Sequence, residues 1–86
     1  MITAQQTRAA RALLGWTQEM LADEAKISLT ALKRMESANG LRVFESTADQ
    51  VRRALEAAGI VFINSGPHIG VMIDESRRQS QDRKPA

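Results

Sequence analysis

The chain has 86 residues, enough for one domain, and a domain of this size buries only a modest fraction of its surface. It contains no cysteine, which excludes disulfides and thiolate metal sites, and no apolar run approaches the roughly 20 residues that span a bilayer. The net charge of +2 at pH 7 is a weak indication of any partner. The N-terminus lacks the charged and apolar regions of a signal peptide, so we expect a cytoplasmic protein that does not enter a membrane.

The first helix is predicted from Ala4 to Leu14. Thr3 is placed to cap it and Gln6 follows three residues later, which is the capping-box pattern, while Gly15 is suited to end it. Trp16 comes next and is interpreted as a packing residue between helices, with a recognition role as the alternative. The residues that fall near one stripe of this helix are Ile2, Gln6, Ala9, Ala10, Leu13 and Leu14.

Two short helical patterns follow with only two residues between them. Thr17 and Ser28 each precede one pattern and can cap a helix. Ile27 is apolar, so we expect the connection to be held against the core. Because so tight a turn prevents antiparallel packing, the pair predicts a helix-turn-helix whose second helix is free to enter a DNA major groove. The inward-facing sets are Met20, Leu21, Ala22 and Ala25 in the first pattern, and Ala31, Leu32 and Met35 in the second.

This segment resembles the Cro/C1-type (XRE) helix-turn-helix family of bacterial and phage transcriptional regulators. The resemblance extends from Arg8 to about Gly59 and implies a mainly α, λ-repressor-like domain of four to five helices. The family usually has glycine in the turn, where the backbone is left-handed, and Lys26 stands there instead, which predicts a cost of about 1 kcal/mol or a slightly different turn. The matching residues are Thr17-Gln18, Leu21-Ala22, Ile27-Ser28, Leu32 and Met35-Glu36.

The same resemblance implies a set of DNA contacts. It places Gln18 and Ser28 on phosphates and turns Leu29, Thr30, Lys33 and Arg34 towards bases. Arg34 suits a bidentate contact with guanine and Thr30 suits a thymine methyl group, whereas Leu29 departs from the Gln or Arg that relatives carry. Asn39 and Arg42, just beyond the second helix, are candidate phosphate contacts.

The resemblance also implies a structural ion pair. A base near the end of the first helix commonly pairs with the acid that closes the recognition helix, which here are Arg11 and Glu36. Such a pair would fix the first helix to the motif. The alternative is two unrelated surface charges.

The positive charge is concentrated on the second helix of the motif and the loop after it. Residues 26–42 carry four bases and one acid, whereas the segments before and after this stretch each carry one excess acid up to residue 73. A phosphate backbone would be met there, with an ordinary solvated helix face as the alternative.

A fourth helix is predicted after a loop that begins near Asn39-Gly40. Ser46 is expected to cap it, and Gly59 to end it. Its inner face is marked by Ala48, Val51, Leu55 and Ala58, which recur at three and four residues. Residues 1–59 are therefore predicted to form the DNA-binding domain.

Two apolar runs after Gly59 predict a pair of β-strands, joined by a five-residue turn cluster at positions 64–68. This β segment, residues 60–73, has more apolar surface than a hairpin on so small a body needs, which predicts a homodimer. The alternative is that the hairpin folds back onto the first and fourth helices of its own chain. Residues 74–86 are expected to form a flexible charged tail. The predicted dimer residues are Ile60, Val61, Phe62, Ile63, Ile69, Val71, Met72 and Ile73.

The sequence favours a binding protein over an enzyme. The only histidine, His68, lies in a turn without a neighbouring base or nucleophile set, so we expect no catalytic residues, no cofactor and no metal site. The favoured function is a homodimeric regulator that binds double-stranded DNA, most simply a repressor on a palindromic operator. The alternative is the antitoxin, or another protein-binding module, of a toxin–antitoxin pair.

Overall fold

The computed structural model describes residues 2–37 and 45–76, in which four helices are followed by a two-stranded antiparallel sheet. This confirms the predicted fold class, a mainly helical domain with a C-terminal strand pair. Within the described residues, no helix is long and apolar enough to cross a membrane. The elements are α1 (Ala4–Leu14), α2 (Gln18–Ala25), α3 (Leu29–Glu36), α4 (Glu45–Ala57), β1 (Ile60–Ser65) and β2 (His68–Ile73).

The first three helices begin at the predicted caps. Thr3 and Gln6 form a reciprocal capping box: the Thr3 hydroxyl accepts from the Gln6 N–H at 3.0 Å, and the Gln6 side-chain oxygen accepts from the Thr3 N–H at 2.9 Å. Thr17 and Ser28 each accept from the backbone N–H three residues later, at 3.1 and 3.0 Å. Each cap satisfies a backbone donor that the helix leaves without an internal partner.

A Schellman motif ends both α1 and α2. Gly15 and Lys26 take the left-handed conformation, with φ of 70° and 61°. The residue after each of these donates its N–H to the carbonyl five residues earlier. Trp16 donates to Arg11 at 2.9 Å, and Ile27 donates to Ala22 at 3.0 Å. Among the described residues, Lys26 is the one non-glycine residue with positive φ. Lys26 therefore keeps the left-handed turn that the family usually builds with glycine, and the energetic cost of this conformation stays a prediction.

The core lies where the inner stripes of the helices meet β1. Trp16 and Ile27 are half-buried and pack against it, as expected for packing residues. Leu13 and Met20 are corrections, because they are 40% and 46% exposed, and Ala9 is exposed as well. Each lies about 100° around its helix from a buried neighbour, so the true stripes are narrower than predicted. The buried apolar residues are Ile2, Ala10, Leu14, Leu21, Ala22, Ala25, Leu32, Met35, Ala48, Val51, Leu55, Ala58 and Ile60.

The start of α4 differs from the prediction. The helix already includes Glu45, so Ser46 lies in its first turn and is not the N-cap. The predicted inner face is confirmed, because Ala48, Val51 and Leu55 are buried. The predicted loop before this helix lies outside the described residues.

The hairpin turn is shorter than the predicted five residues. β1 continues to Ser65 and β2 begins at His68, so only Gly66 and Pro67 form the turn. Gly66 has φ of 59°, and a positive φ at the first of two turn residues is the requirement of a type II′ hairpin turn. The polar residues assigned to the loop are therefore paired strand residues.

The hairpin packs on α1 and α4 of its own chain. Ile60 is fully buried, which stabilises the fold by on the order of 2 kcal/mol, and Phe62, Val71 and Ile73 are half-buried against the core. The side chains of these four residues belong to one face of the sheet, since directly opposed residues share a face. Only the other face and the strand edges remain for the predicted dimer contact.

Gln6 fastens this hairpin to α1. Its side chain is 2% exposed, and its amide nitrogen donates to the carbonyls of Gly70 at 2.9 Å and Ile63 at 3.1 Å, with Asn64 Oδ1 at 3.4 Å. Its oxygen is already engaged with the Thr3 N–H. A single buried amide therefore closes the first turn of α1 and holds both strands.

Replacing Lys26 by glycine is expected to raise the free energy of unfolding by about 1 kcal/mol, because glycine removes the steric cost of the left-handed conformation. Gly15→Ala is the reciprocal control. A Cβ at Gly15 would meet no heavy atom within 4 Å, so its expected loss of about 1 kcal/mol comes from the backbone alone. Urea denaturation measures both changes in the free energy of unfolding. A Lys26→Gly variant less stable than the natural chain would contradict a steric cost at Lys26.

Gln6→Glu is expected to lower the free energy of unfolding by about 2–4 kcal/mol, because it places a buried carboxylate against three oxygens while keeping the capping acceptor. The loss should shrink as the pH falls towards 4, since a protonated carboxyl group regains one donor. Thr3→Ala is the control, since it removes only the capping hydroxyl and should cost about 1 kcal/mol at every pH. Thermal unfolding across pH measures this, and an unaffected Gln6→Glu variant would contradict the role of the amide.

Candidate nucleic-acid interface

α3 presents two chemically different sides. Leu32, Met35 and Glu36 are buried against the rest of the domain. Thr30, Lys33 and Arg34 are exposed on the outer side. The predicted base-facing residues are thus largely on one accessible surface of a helix whose opposite side is fixed.

The remaining predicted contacts have mixed positions. Ser28 is exposed, although its hydroxyl accepts from the backbone as the cap of α3. Leu29 is half-buried at the first position of α3, which leaves part of its side chain accessible. Asn39 and Arg42 lie outside the described residues, and their phosphate contacts stay a prediction.

The ion pair between Arg11 and Glu36 is present and is bidentate. Arg11 donates from Nε to Glu36 Oε2 and from Nη2 to Glu36 Oε1, both at 2.8 Å, and from Nη1 to the Trp16 carbonyl at 3.1 Å. Glu36 is 5% exposed. The hydrogen bond to Glu36 raises the pKa of Arg11 above its ordinary value despite partial burial, so the guanidinium remains charged. The alternative of two unrelated surface charges is therefore wrong.

Gln18 belongs to the same cluster. It is half-buried, and its amide nitrogen donates to Glu36 Oε1 at 3.1 Å. This contact joins the first residue of α2 to the last residue of α3. The predicted phosphate contact of Gln18 would therefore come from a side chain whose orientation is already set by Glu36.

Arg8 was missed by the sequence analysis as a member of this site. Its Nη1 donates to the backbone carbonyl of Glu36, at the end of α3 where carbonyls lack helical partners and the helix dipole favours a cation. The available signal was its position three residues before Arg11, on the same side of α1. We call Glu36 with Arg8, Arg11 and Gln18 the Glu36 cluster.

The Glu36 cluster also determines the charge that α3 presents. The carboxylate of Glu36 is buried and neutralised by Arg11, so it does not offset Lys33 and Arg34 on the outer side. In the described part of the chain, no carboxylate lies within ion-pair distance of either of these two bases. The outer side of α3 is therefore positively charged, which suits a polyanion.

A second group of charges lies on α4 and is satisfied within that helix. Arg52 pairs with Asp49 and, at 2.9 Å, with Glu56, while Arg53 pairs with Asp49 at 2.8 Å. The hydrogen bond from Arg52, together with both arginine charges, lowers the pKa of Asp49 below its ordinary value. These arginines are thus partly neutralised, unlike the bases on α3.

No cluster of side chains suited to a metal ion occurs in the described part of the chain. Residues 2–37 and 45–76 hold no group of three or more potential ligands from His, Cys, Asp and Glu. His68 is exposed at the start of β2.

Comparison with known proteins points to the segment that contains α2 and α3. Residues 8–41 match a family model described as helix-turn-helix, which spans the end of α1, all of α2 and α3, and the residues just after them. No curated protein matches the chain. The match includes every member of the Glu36 cluster and every predicted DNA-contact residue except Arg42.

Arg11→Met is expected to lower the free energy of unfolding by about 1–3 kcal/mol, because it leaves the buried Glu36 carboxylate without its counter-charge. Adding Glu36→Met should recover a large part of this loss, since an apolar pair of similar volume often replaces a buried ion pair without net cost. Arg53→Ala is the control: its side chain is 75% exposed, and it should behave as an ordinary surface substitution. Urea denaturation of the four proteins measures the effect, and a double variant no better than Arg11→Met would contradict it.

Proposed function

We propose, from the match of residues 8–41 to a helix-turn-helix family model and from the resemblance to the Cro/C1-type family, that this protein regulates transcription by sequence-specific binding to double-stranded DNA. The observation that carries the proposal is the division of α3 into a side fixed by the Glu36 cluster and an exposed, positively charged side. A helix held in this way enters the major groove without further ordering, so little binding free energy is lost on conformational entropy.

The roles of individual residues follow from their chemistry and exposure. Arg34 is exposed and donates two parallel hydrogen bonds, which fits guanine O6 and N7, while the Thr30 methyl group fits a thymine methyl. Lys33 supplies a further donor on the same side. Ser28 caps α3 and Gln18 is the first residue of α2, and helix N-termini favour phosphate.

The proposal includes a homodimer on a palindromic site. One helix-turn-helix covers a half-site of roughly five base pairs, and two half-sites about 34 Å apart lie on one face of the duplex. The hairpin supports this arrangement because it leaves apolar side chains accessible: Ile69 is 59% exposed and Met72 is 52% exposed. A protein that binds such a site across a promoter represses by exclusion of the polymerase, and it acts in the cytoplasm where bacterial DNA lies.

The antitoxin alternative is favoured by the same exposed apolar residues, with a toxin in place of the second copy. It retains DNA binding and differs only in what covers the hairpin. Sedimentation of the purified chain distinguishes the two, because the homodimer requires no second protein.

Selection of binding sites from random duplex DNA tests the proposal, and we expect an inverted repeat. On the selected site, Arg34→Ala should weaken binding by about 1–3 kcal/mol and relax the preference at one base pair of each half-site. Arg53→Ala is the matched control, because it removes the same charge from an exposed position on α4 outside the motif. Fluorescence anisotropy with matched and single-mismatch duplexes measures both effects.

Two results would contradict the proposal. The first is no binding to any duplex at low salt, where phosphate contacts are strongest. The second is equal weakening by Arg34→Ala and Arg53→Ala, which would indicate attraction by net charge alone. The predicted outcome also includes a steep loss of affinity as salt increases, because bound counterions are released from the DNA.

A further inference from the structure

β2 has an edge whose free backbone groups can be identified from the hairpin register. The Asp74 N–H donates to the Gly59 carbonyl at 2.7 Å, so this opposed pair is a hydrogen-bonded one. Hydrogen-bonded and non-bonded pairs alternate along antiparallel strands. The N–H and C=O groups of Ile69, Val71 and Ile73 therefore point away from β1, and the described residues place no further strand beside them.

We propose that β2 pairs with β2 of a second copy of this chain, antiparallel about a two-fold axis at Val71. This pairing rests on the proposed homodimer and specifies its contact. The three residues with outward backbone groups would form the hydrogen bonds: Val71 with the partner's Val71, and Ile69 with the partner's Ile73 in both directions. The result is a continuous four-stranded sheet across the dimer.

The side chains of β2 are complementary to themselves in this register. Met72, which is 52% exposed, lies opposite the partner's Gly70, a position open to a neighbour because a Cβ there would meet only the Ile63 side chain, at 3.9 Å. His68 lies opposite the partner's Asp74 at each end, a non-hydrogen-bonded backbone position that brings a polar side chain close to an acidic one. No residue from 68 to 73 carries a formal charge, so the edge lacks the charges that usually prevent strand association.

The neighbouring registers are worse. A shift of two residues in one direction places Ile69 opposite the partner's Glu75, and a shift in the other places Ile73 opposite the partner's Pro67, which has no N–H. A shift of one residue would place residues whose N–H and C=O groups point away from β1 opposite residues whose groups point towards it, so the two strands could not form hydrogen bonds. Pairing through β1 about its central Phe62 would place Ile60, fully buried in its own core, opposite the partner's Asn64.

Single-cysteine crosslinking tests the pairing, and the natural chain has no cysteine to interfere. Across the two-fold axis the two Val71 Cα atoms would lie about 5.5 Å apart, which is within the range that a disulfide spans. Val71→Cys should therefore give a covalent dimer on mild oxidation, at least about tenfold faster than Phe62→Cys on β1 or Met72→Cys. Non-reducing gel electrophoresis follows the reaction, with circular dichroism to verify folding.

A second arm avoids reliance on the half-buried Val71. Chains with Ile69→Cys, at an exposed position, are mixed with chains carrying Ile73→Cys. The mixture should crosslink at least about tenfold faster than either variant oxidised by itself, because the register opposes position 69 to position 73. This pattern supports the two-fold pairing independently of the first arm.

The outcomes separate this pairing from the proposed function. A chain that sediments as a dimer but crosslinks equally at Val71→Cys and Phe62→Cys, with no gain in the mixture, overturns the pairing and leaves the regulator. A chain that sediments as a monomer at all concentrations overturns the pairing and the homodimer. Binding of the unmodified chain to duplex DNA is measured separately, and its absence overturns the proposed function whatever the crosslinking shows.

Discussion

The buried carboxylate of Glu36 is the constraint on which the placement of α3 depends. A carboxylate removed from water must be compensated by charge and hydrogen bonds, and here Arg11 supplies the charge and two hydrogen bonds while Gln18 supplies a third. α3 has eight residues, too few for a stable isolated helix, so its position comes from packing and from this cluster. Because the donors come from α1 and α2, one carboxylate fixes three helices relative to each other.

The local signals in the sequence predicted both ends of α1 and the caps at which α2 and α3 begin. Caps and Schellman ends depend on side chains within five residues, which the sequence displays directly, so Thr3 and Gly15 defined α1 without any tertiary information. The hairpin turn was predicted too long because polar residues such as Asn64 resemble loop residues. Strand pairing near a turn is decided by the backbone, and the side chains there need only tolerate solvent.

In the proposed DNA-binding surface, contacts between two side chains could be predicted from the sequence, whereas contacts from a side chain to the backbone could not. The pair of Arg11 and Glu36 was identified because both members are charged and the family resemblance connects them. The contacts of Arg8 with α3 and of Gln6 with the hairpin were missed because both side chains donate to backbone carbonyls. Every residue has a backbone carbonyl, so the sequence does not indicate which one will accept. The widths of the buried stripes were overestimated for a related reason: burial of Leu13 or Met20 depends on neighbouring elements that the helix itself does not specify.

α1 connects the two surfaces on which the proposed regulator relies. Gln6 holds the hairpin and Arg11 holds the end of α3, and these residues are five positions apart, about 7.5 Å along the helix axis. In a homodimer paired through β2, the distance between the two α3 helices would thus depend on α1. It would depend in particular on the hydrogen bonds that Gln6 and Arg11 make five positions apart on that helix. A palindromic site fixes that separation within narrow bounds, because its half-sites follow the helical repeat of DNA. Weakening either attachment would therefore impair cooperative binding to the full site more than binding to a single half-site, even where every base-contacting residue is intact.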